Sequence, residues 1–470
     1  MTGGLTSGRG RPALAALVLA GALAGAAGQA SAWPDRLEGH GGPIRGLSVS
    51  AERGEALSAS FDYAILHYSL TGEEGSGENG QTSTVLHRLI GHDAAVNDVA
   101  FAPGSPLAVS ASDDGTVGVW NLDTGTLVTR FTTAGDKILD VTVTEDGRFA
   151  ASAGWDQTAR VFDLETLSER AVMRGHSGNV NSVAFAAEGN ILYTGSYDGT
   201  VRQWNGQSGE QLRVILKYGW GVNVISVLPD ETHLLFGAID GAYGIVDIAT
   251  GDIVGEFEPF GGPVLAVSVD AGLGLAAFGS ADGNLRVYRL EDWTLVSSYS
   301  TAFGPIWAIG FAPDGQAIYR AGLDDYISLV SLEPGAPLDV AAPEFPRRFQ
   351  LTEDMDVGER QFARKCSVCH TLTPDDANRA GPTLYGVFGR RVGTLAEYPY
   401  SEALRNSDII WSAETISRLF DDGPDVVLPG TKMPVQRLKD PEERAALVAF
   451  LKRMTDPANG SAPDGANGKN

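Results

Sequence analysis

The chain has 470 residues and a formal charge of −24 at neutral pH, from 35 Lys and Arg against 59 Asp and Glu. So large an acidic excess repels nucleic-acid phosphates and anionic lipid headgroups, which excludes nucleic acid as a partner and favours cationic or protein partners. The length is too great for one ordinary core and implies about three domains, or fewer if one is a large β architecture.

At the N-terminus, Arg9 and Arg11 precede an apolar run from Ala13 to Ala24, followed by the small residues Ala30-Ser31-Ala32. The run is below the ~18 residues a bilayer span requires, so the pattern predicts a secretory signal over residues 1–32, cleaved after Ala32, rather than a short membrane anchor. An exported, periplasmic protein is the expectation. No later segment reads as transmembrane, so no integral membrane segment is expected after signal cleavage. Removal of the two arginines takes the charge to −26, unevenly spread. Residues 33–346 carry −25, from 16 Lys and Arg against 41 Asp and Glu, and residues 351–457 carry −3, from 14 against 17.

The most regular feature that follows is a series of Asp residues at 62, 114, 156, 198, 240, 282 and 324. The first interval is 52 and every later one is 42; the extra ten residues match the Gly- and Glu-rich insert GEEGSGENGQ at 72–81, which reads as a solvated loop added to one unit. Each Asp follows a strand-like run, as in LAVSASD and ILYTGSYD, and precedes another whose sixth residue is Tyr68, Trp120, Phe162, Trp204, Val246, Tyr288 or Val330. Alternating runs joined by tight turns at this period describe four-stranded blades.

Through Gly39-His40, Gly91-His92 and Gly175-His176, and through DGTVGVWN and DGTVRQWN, residues 33–340 resemble the WD40 family. The resemblance implies a seven-bladed β-propeller in which His, a strand Ser or Thr, the turn Asp and Trp bond to one another within a blade. His92, Asp114 and Trp120, then His176, Asp198 and Trp204, carry that set best. Blades five to seven lack both the Gly-His and the Trp, which puts their internal network in doubt. By the family's pattern Trp33–Glu38 supplies the outer strand of the seventh blade and closes the ring, removing exposed sheet edges. His40, His92 and His176 are therefore expected to be structural, while His67, His87 and His233 have no assigned role.

The Pro-rich stretch EPGAPLDVAAPEFP at 333–346 has no strand or helix period, and a linker over 341–350 is expected to join the propeller to a unit at 351–457; beyond it, residues 458–470 read as a disordered tail. Within that unit residues 366–370 read CSVCH, and Cys366 and Cys369 are the only cysteines of the chain. Two thiols at this spacing can each add across a porphyrin vinyl group while the adjacent His370 takes the iron, which makes this a haem c attachment site. A redox dithiol needs no following His, and a zinc site needs two further ligands that no cysteine supplies. Apolar periodicity predicts a helix at Met355–Lys365 leading into this motif and a closing helix at Pro441–Met454 with Leu447, Phe450 and Leu451 on one stripe.

Residues 351–457 resemble class I cytochrome c along nearly their whole length. The resemblance implies a small all-α domain in which Gly358, Phe362, Leu447 and Phe450 form the crossing of the two terminal helices, and it makes Met433, in PGTKMP at 429–434, the second axial ligand opposite His370. It matches Gly381-Pro382 to the carbonyl that accepts the proximal imidazole N–H, and Arg390, Tyr400, Trp411 and Thr431 to groups around the haem propionates. At Phe420 the chain departs from the family, many members of which place a Tyr whose hydroxyl approaches the Met sulfur. Arg360, Lys365, Arg379, Lys432, Arg437 and Lys439 match the cationic docking ring around the haem edge, and imply redox partners with an acidic docking patch.

The fold class expected is thus multidomain, an all-β WD40-like propeller followed by a small all-α class I cytochrome c domain. The leading functional expectation is a periplasmic electron carrier with one covalent haem c, no catalytic residue of its own, and a propeller that docks an unknown protein. The rival is an oxidoreductase whose propeller holds a second cofactor and passes electrons to the haem, resembling quinohaemoprotein dehydrogenases or cytochrome cd1 nitrite reductases, both of which usually have eight blades. A redox-responsive scaffold is a third.

Overall fold

The computed structural model describes residues 33–71, 83–133, 136–186, 189–228, 230–301, 304–332, 355–367, 369–374, 381–396, 398, 400–431, 433 and 436–456. The expected signal, linker and tail, and the whole of the first-blade insert, lie outside these residues. No helix among the described residues is long and apolar enough to cross a membrane.

Residues 36–331 form seven four-stranded antiparallel sheets. The second runs Val96–Phe101, Leu107–Ser112, Thr116–Asn121 and Thr126–Thr132. Its two middle strands are buried almost throughout, because neighbouring sheets cover both faces, whereas the outer strand is mostly exposed or half-exposed. Burial on both faces explains why the middle strands are runs of small and β-branched residues rather than strict alternations. The repeat Asp starts the hairpin between them: Asp114 accepts from the Thr116 N–H at 2.9 Å and the Thr116 hydroxyl at 2.6 Å. Gly115 turns the chain with φ +77°, a conformation that favours glycine.

Ring closure is made by residues distant in sequence. Arg36 and Leu37 pair with Ser328 and Ile327 as the outer strand of the seventh sheet, and the Leu329 N–H donates to the Asp35 carbonyl at 2.9 Å. Leu37 is fully buried.

In the second blade the His92 ring lies 2.7 Å from Ser110 Oγ and 2.9 Å from Asp114 Oδ2, and Trp120 Nε1 donates to Ser110 Oγ at 2.8 Å. His176, Thr194, Asp198 and Trp204 repeat this in the fourth blade, at 2.6, 2.8 and 2.8 Å. The first blade uses His40, Ser58 and Asp62, with Tyr68 in the place of Trp. In blades five and six the stabilising chemistry changes. Tyr243, Phe257, Phe260, Phe278 and Tyr288 stack into one cluster, with Arg286 4.4 Å over Phe260. Aromatic packing there supplies what the missing Gly-His and Trp do not. Two unassigned histidines gain simple roles: His67 is bonded to Glu55 at 2.9 Å and stacks on His87 at 5.7 Å, and His233 is bonded to Asp230.

Asp62 makes the acid sensitivity of this network calculable. Burial alone would raise its carboxyl, but His40, Arg88 and the Gly41 N–H more than offset that and hold it at about 2. A depressed folded-state value means stability that is present above the ordinary value of 3.8 and is lost as pH falls toward 2. Asp62→Asn is expected to cost about 2 kcal/mol near pH 7. In denaturant titrations of both proteins, that difference should shrink between about pH 4 and pH 2; a gap that stays constant across the interval would contradict the assignment.

The helices belong to the C-terminal domain: α1 (Val357–Lys365), α2 (Glu402–Arg405), α3 (Ala413–Asp422), α4 (Pro424–Val427) and α5 (Pro441–Thr455). Helix α1 starts two residues later than periodicity predicts, because Asp356 caps it by accepting from the Glu359 N–H at 2.8 Å. Asp440 caps α5 in the same way, with Pro441 at the first turn. Helix α5 extends one residue further than expected, to Thr455, whose hydroxyl donates back to the Leu451 carbonyl and whose carbonyl accepts from the Gly386 N–H. The two helices meet where Gly358 lies so close to α5 that a Cβ would sit 2.2 Å from the Ala446 carbonyl oxygen. Phe362 and Phe450 pack there at 5.5 Å, over the fully buried Leu447.

Candidate cofactor site

The end of α1 delivers the CSVCH segment into a cavity. Cys366 closes the helix, its N–H donating to the Phe362 carbonyl, and the His370 N–H in turn donates to the Cys366 carbonyl at 2.9 Å. This one tight turn brings Cys366, Cys369 and His370 to the same wall. The opposite contributions come from Leu419 and Phe420 of α3, Leu428 and Thr431 of the following loop, and Met433. The space between them is about 1130 Å³, its open mouth included.

His370 is set in a fixed tautomer. Its Nδ1 lies 2.7 Å from the Pro382 carbonyl oxygen, and since a carbonyl only accepts, Nδ1 carries the proton and Nε2 the lone pair. Gly381 is required beside it, because a Cβ there would fall 2.4 Å from Cε1 of the ring. Of the matched pair Gly381-Pro382, then, the first gives room and the second gives the acceptor.

The remaining matched residues are gathered around the same cavity. Arg390, Tyr400, Trp411 and Thr431 all line it. Arg390 is braced on the carbonyls of Thr383, at 2.6 Å, and Tyr385, at 3.1 Å; burial lowers its pKa, yet a guanidinium in this range stays cationic. Trp411 and Arg390 are tied through their backbones, the Trp411 N–H donating to the Arg390 carbonyl at 3.0 Å. The Met433 N–H donates to the Thr431 hydroxyl at 3.1 Å, so Thr431 shapes the loop that presents the sulfur. Phe420 is 3 % exposed and fills its place with carbon, as its departure from the family predicts.

Burial pushes the Cys366 thiol up to about 12, and the neighbouring Cys369 adds to the shift. The cavity's donor set fits an iron porphyrin: one imidazole lone pair, one thioether, two thiols, an apolar lining, and a cation with hydroxyl and indole donors of the kind carboxylates need as partners.

The expected cationic ring is partly spent on local bonds. Arg437 pairs with Asp425 and Lys439 with Asp421, Arg360 folds back onto the Met355 carbonyl, and Lys365 reaches the Arg437 carbonyl at 3.5 Å while lining the cavity. Arg379 and Lys432 lie outside the described residues. Two aromatic residues at the site were missed by sequence reasoning. Tyr398 packs edge-on against Tyr400 at 4.8 Å, and burial raises its hydroxyl to about 12; Tyr63 comes from the propeller. The spacing YPY offered a signal for the first. For the second, the signal was a Tyr at a turn position where four other blades have Gly.

Residues 355–455 match the family model "Cytochrome c". Cytochrome c of Nigella damascena is 43 % identical over 100 residues, covering 21 % of this chain and 87 % of that protein; that of Sesamum indicum is 42 % identical over 104 residues, 22 % and 91 %. The chain belongs to the cytochrome c family. Cytochrome c of Ginkgo biloba, 39 % identical over 102 residues, covers a similar share, 22 % of this chain and 89 % of its own. The likeness to these cytochromes c therefore stops at the C-terminal domain. Residues 83–121, 125–163 and 167–205 match the family model "WD domain, G-beta repeat", so this cytochrome c domain is joined to a WD40 propeller.

Proposed function

We propose that the chain is an exported, periplasmic one-electron carrier that holds a single haem c, linked through Cys366 and Cys369 and ligated by His370 and Met433. The carrying observation is that these four side chains open onto one cavity while the Pro382 carbonyl fixes the His370 tautomer with its lone pair on Nε2. When bound there, the iron porphyrin supplies a one-electron couple, whose potential a His/Met pair raises. The protein's own part is to orient the imidazole, hold the Met loop through Thr431, keep Arg390, Tyr400 and Trp411 at the carboxylate end, and exclude water with Leu419, Phe420 and Leu428. With His370 and Met433 both holding the iron, no coordination site would be left for a substrate, which favours electron transfer over oxygen or peroxide chemistry.

The proposed export and the haem are consistent with each other, because two lone cysteines outside the cytoplasm would be consumed by the haem rather than oxidised. The propeller serves as a docking platform for a protein partner. Its channel supports that role better than a second cofactor: Asp98 and Asp140 accept from the Val141 and Val183 N–H groups of the next blades at 3.1 and 2.8 Å, and Asn97, Asn181 and Asn223 donate to blade-edge carbonyls. These five inward polar residues are thus occupied in holding blades together. The test is expression with haem-attachment machinery in a periplasm. A product beginning at Trp33, heavier by one haem and unreactive to carbon monoxide when reduced, is expected; a colourless product, or one that takes up carbon monoxide, overturns the proposal.

A further inference from the structure

Tyr63 stands in the turn between the propeller strands Glu55–Ser60 and Ala64–Ser69, directly after the repeat Asp62. Its backbone has φ +69°, and the corresponding residues of four other blades are Gly115, Gly199, Gly241 and Gly283, with φ between +77° and +91°. A bulky L residue adopts this region only against a steric penalty, and such penalties concentrate at functional sites. The turn is already made by the Asp62 carboxylate accepting from the Ala64 N–H at 3.0 Å; the third blade places Gln157 at the same point with φ +66°, so it is the size and aromatic character of Tyr63 that set this turn apart.

What distinguishes Tyr63 lies outside the propeller. It lines the cavity that holds Cys366, Cys369, His370 and Met433, beside Tyr398 of the other domain. Burial keeps its hydroxyl protonated, and Tyr398 and Cys369 are the nearest titratable groups that add to the effect. Exposed aromatic residues occur elsewhere on the propeller, Tyr197 at 59 % and Trp220 at 60 %, whereas Tyr63 is half-buried. The cavity wall also includes the cationic Lys365, which faces an acidic propeller although the cytochrome domain itself carries −3.

We infer that Tyr63 is the cap of the haem cavity, and that the first blade of the propeller docks in cis over the cytochrome face that free redox partners would otherwise use. This rests on the haem reading above, but the cap itself is a contact between two parts of the polypeptide. Electron exchange with a soluble partner then requires the propeller to move off, and whatever binds the propeller shifts that balance. The propeller becomes the regulator of access as well as a platform.

Two measurements on the full-length chain decide it. With a benzophenone-bearing phenylalanine analogue at position 63, illumination should give an intramolecular crosslink from residue 63 to the segment around Tyr398–Leu404 or to Lys365, at monomer mass. In Tyr63→Gly, which matches the sister turns, the rate of haem oxidation by ferricyanide should rise at least about threefold, with the ligand-set absorbance as in the parent. Crosslinks confined to the propeller, or an oxidation rate equal to the parent's, would overturn the cap. Loss of haem absorbance in the unaltered chain would instead strike the haem reading, and the crosslink would still report on docking.

Discussion

Met433→Ala is expected to turn a closed haem site into an open one. The reduced variant should take up carbon monoxide where the parent does not, and its midpoint potential should fall by an amount on the order of 100 mV or more, within the ~0.8 V range that axial ligation spans. The direction follows from chemistry: a soft thioether stabilises Fe(II) over Fe(III), and removing it removes that preference. The loop itself has an independent anchor, since the Thr431 hydroxyl binds the backbone rather than the sulfur. The fold should therefore survive the change. Met454 offers the control. It is 47 % exposed on α5, and its replacement by Ala should move neither the potential nor carbon monoxide uptake. A Met433→Ala protein with the parent's potential would mean that some other group holds the sixth position.

Much of this architecture was legible because it is written in short-range signals. A 42-residue spacing of Asp is a turn chemistry repeated in register, so blade count and hairpin positions followed from it directly. CSVCH is likewise a local device, whose three reactive groups are brought together by a single turn. Other features come from contacts between distant residues. The aromatic cluster around Tyr243 and Arg286 replaces the hydrogen-bonded set of the earlier blades, and it joins strands of two blades that no local pattern links. The helix ends shifted by one or two residues because Asp356 and Thr455 bond to the backbone, which periodicity does not register. Arg437 and Lys439, expected to face a partner, are drawn into ion pairs with Asp425 and Asp421 across the fold. Tyr63 joined the site from more than three hundred residues away, and comparison of the seven turns marks it only as the one aromatic residue at that position.

Trp204→Ala should be the most damaging single change in the propeller. The indole is fully buried between the third and fourth blades, among Ala151, Val183 and Leu192, and its N–H donates to Thr194 Oγ1 at 2.8 Å. Truncation leaves a large cavity and costs about 3–5 kcal/mol. It also removes the donor to a hydroxyl that His176 needs at 2.6 Å. Trp204→Phe separates the two effects, because most of the ring volume stays while the hydrogen bond goes; a loss of about 1–2 kcal/mol is expected there. Trp220, 60 % exposed, should tolerate Ala within about 0.5 kcal/mol. Denaturant unfolding read by far-ultraviolet dichroism orders the three variants. If Trp204→Phe proves as costly as Trp204→Ala, the hydrogen-bonded set and not ring packing sustains the blade. The positions of Val246 and Val330 in the later blades argue the opposite: there the same strand site is filled without an indole donor, and apolar packing alone completes the sheet.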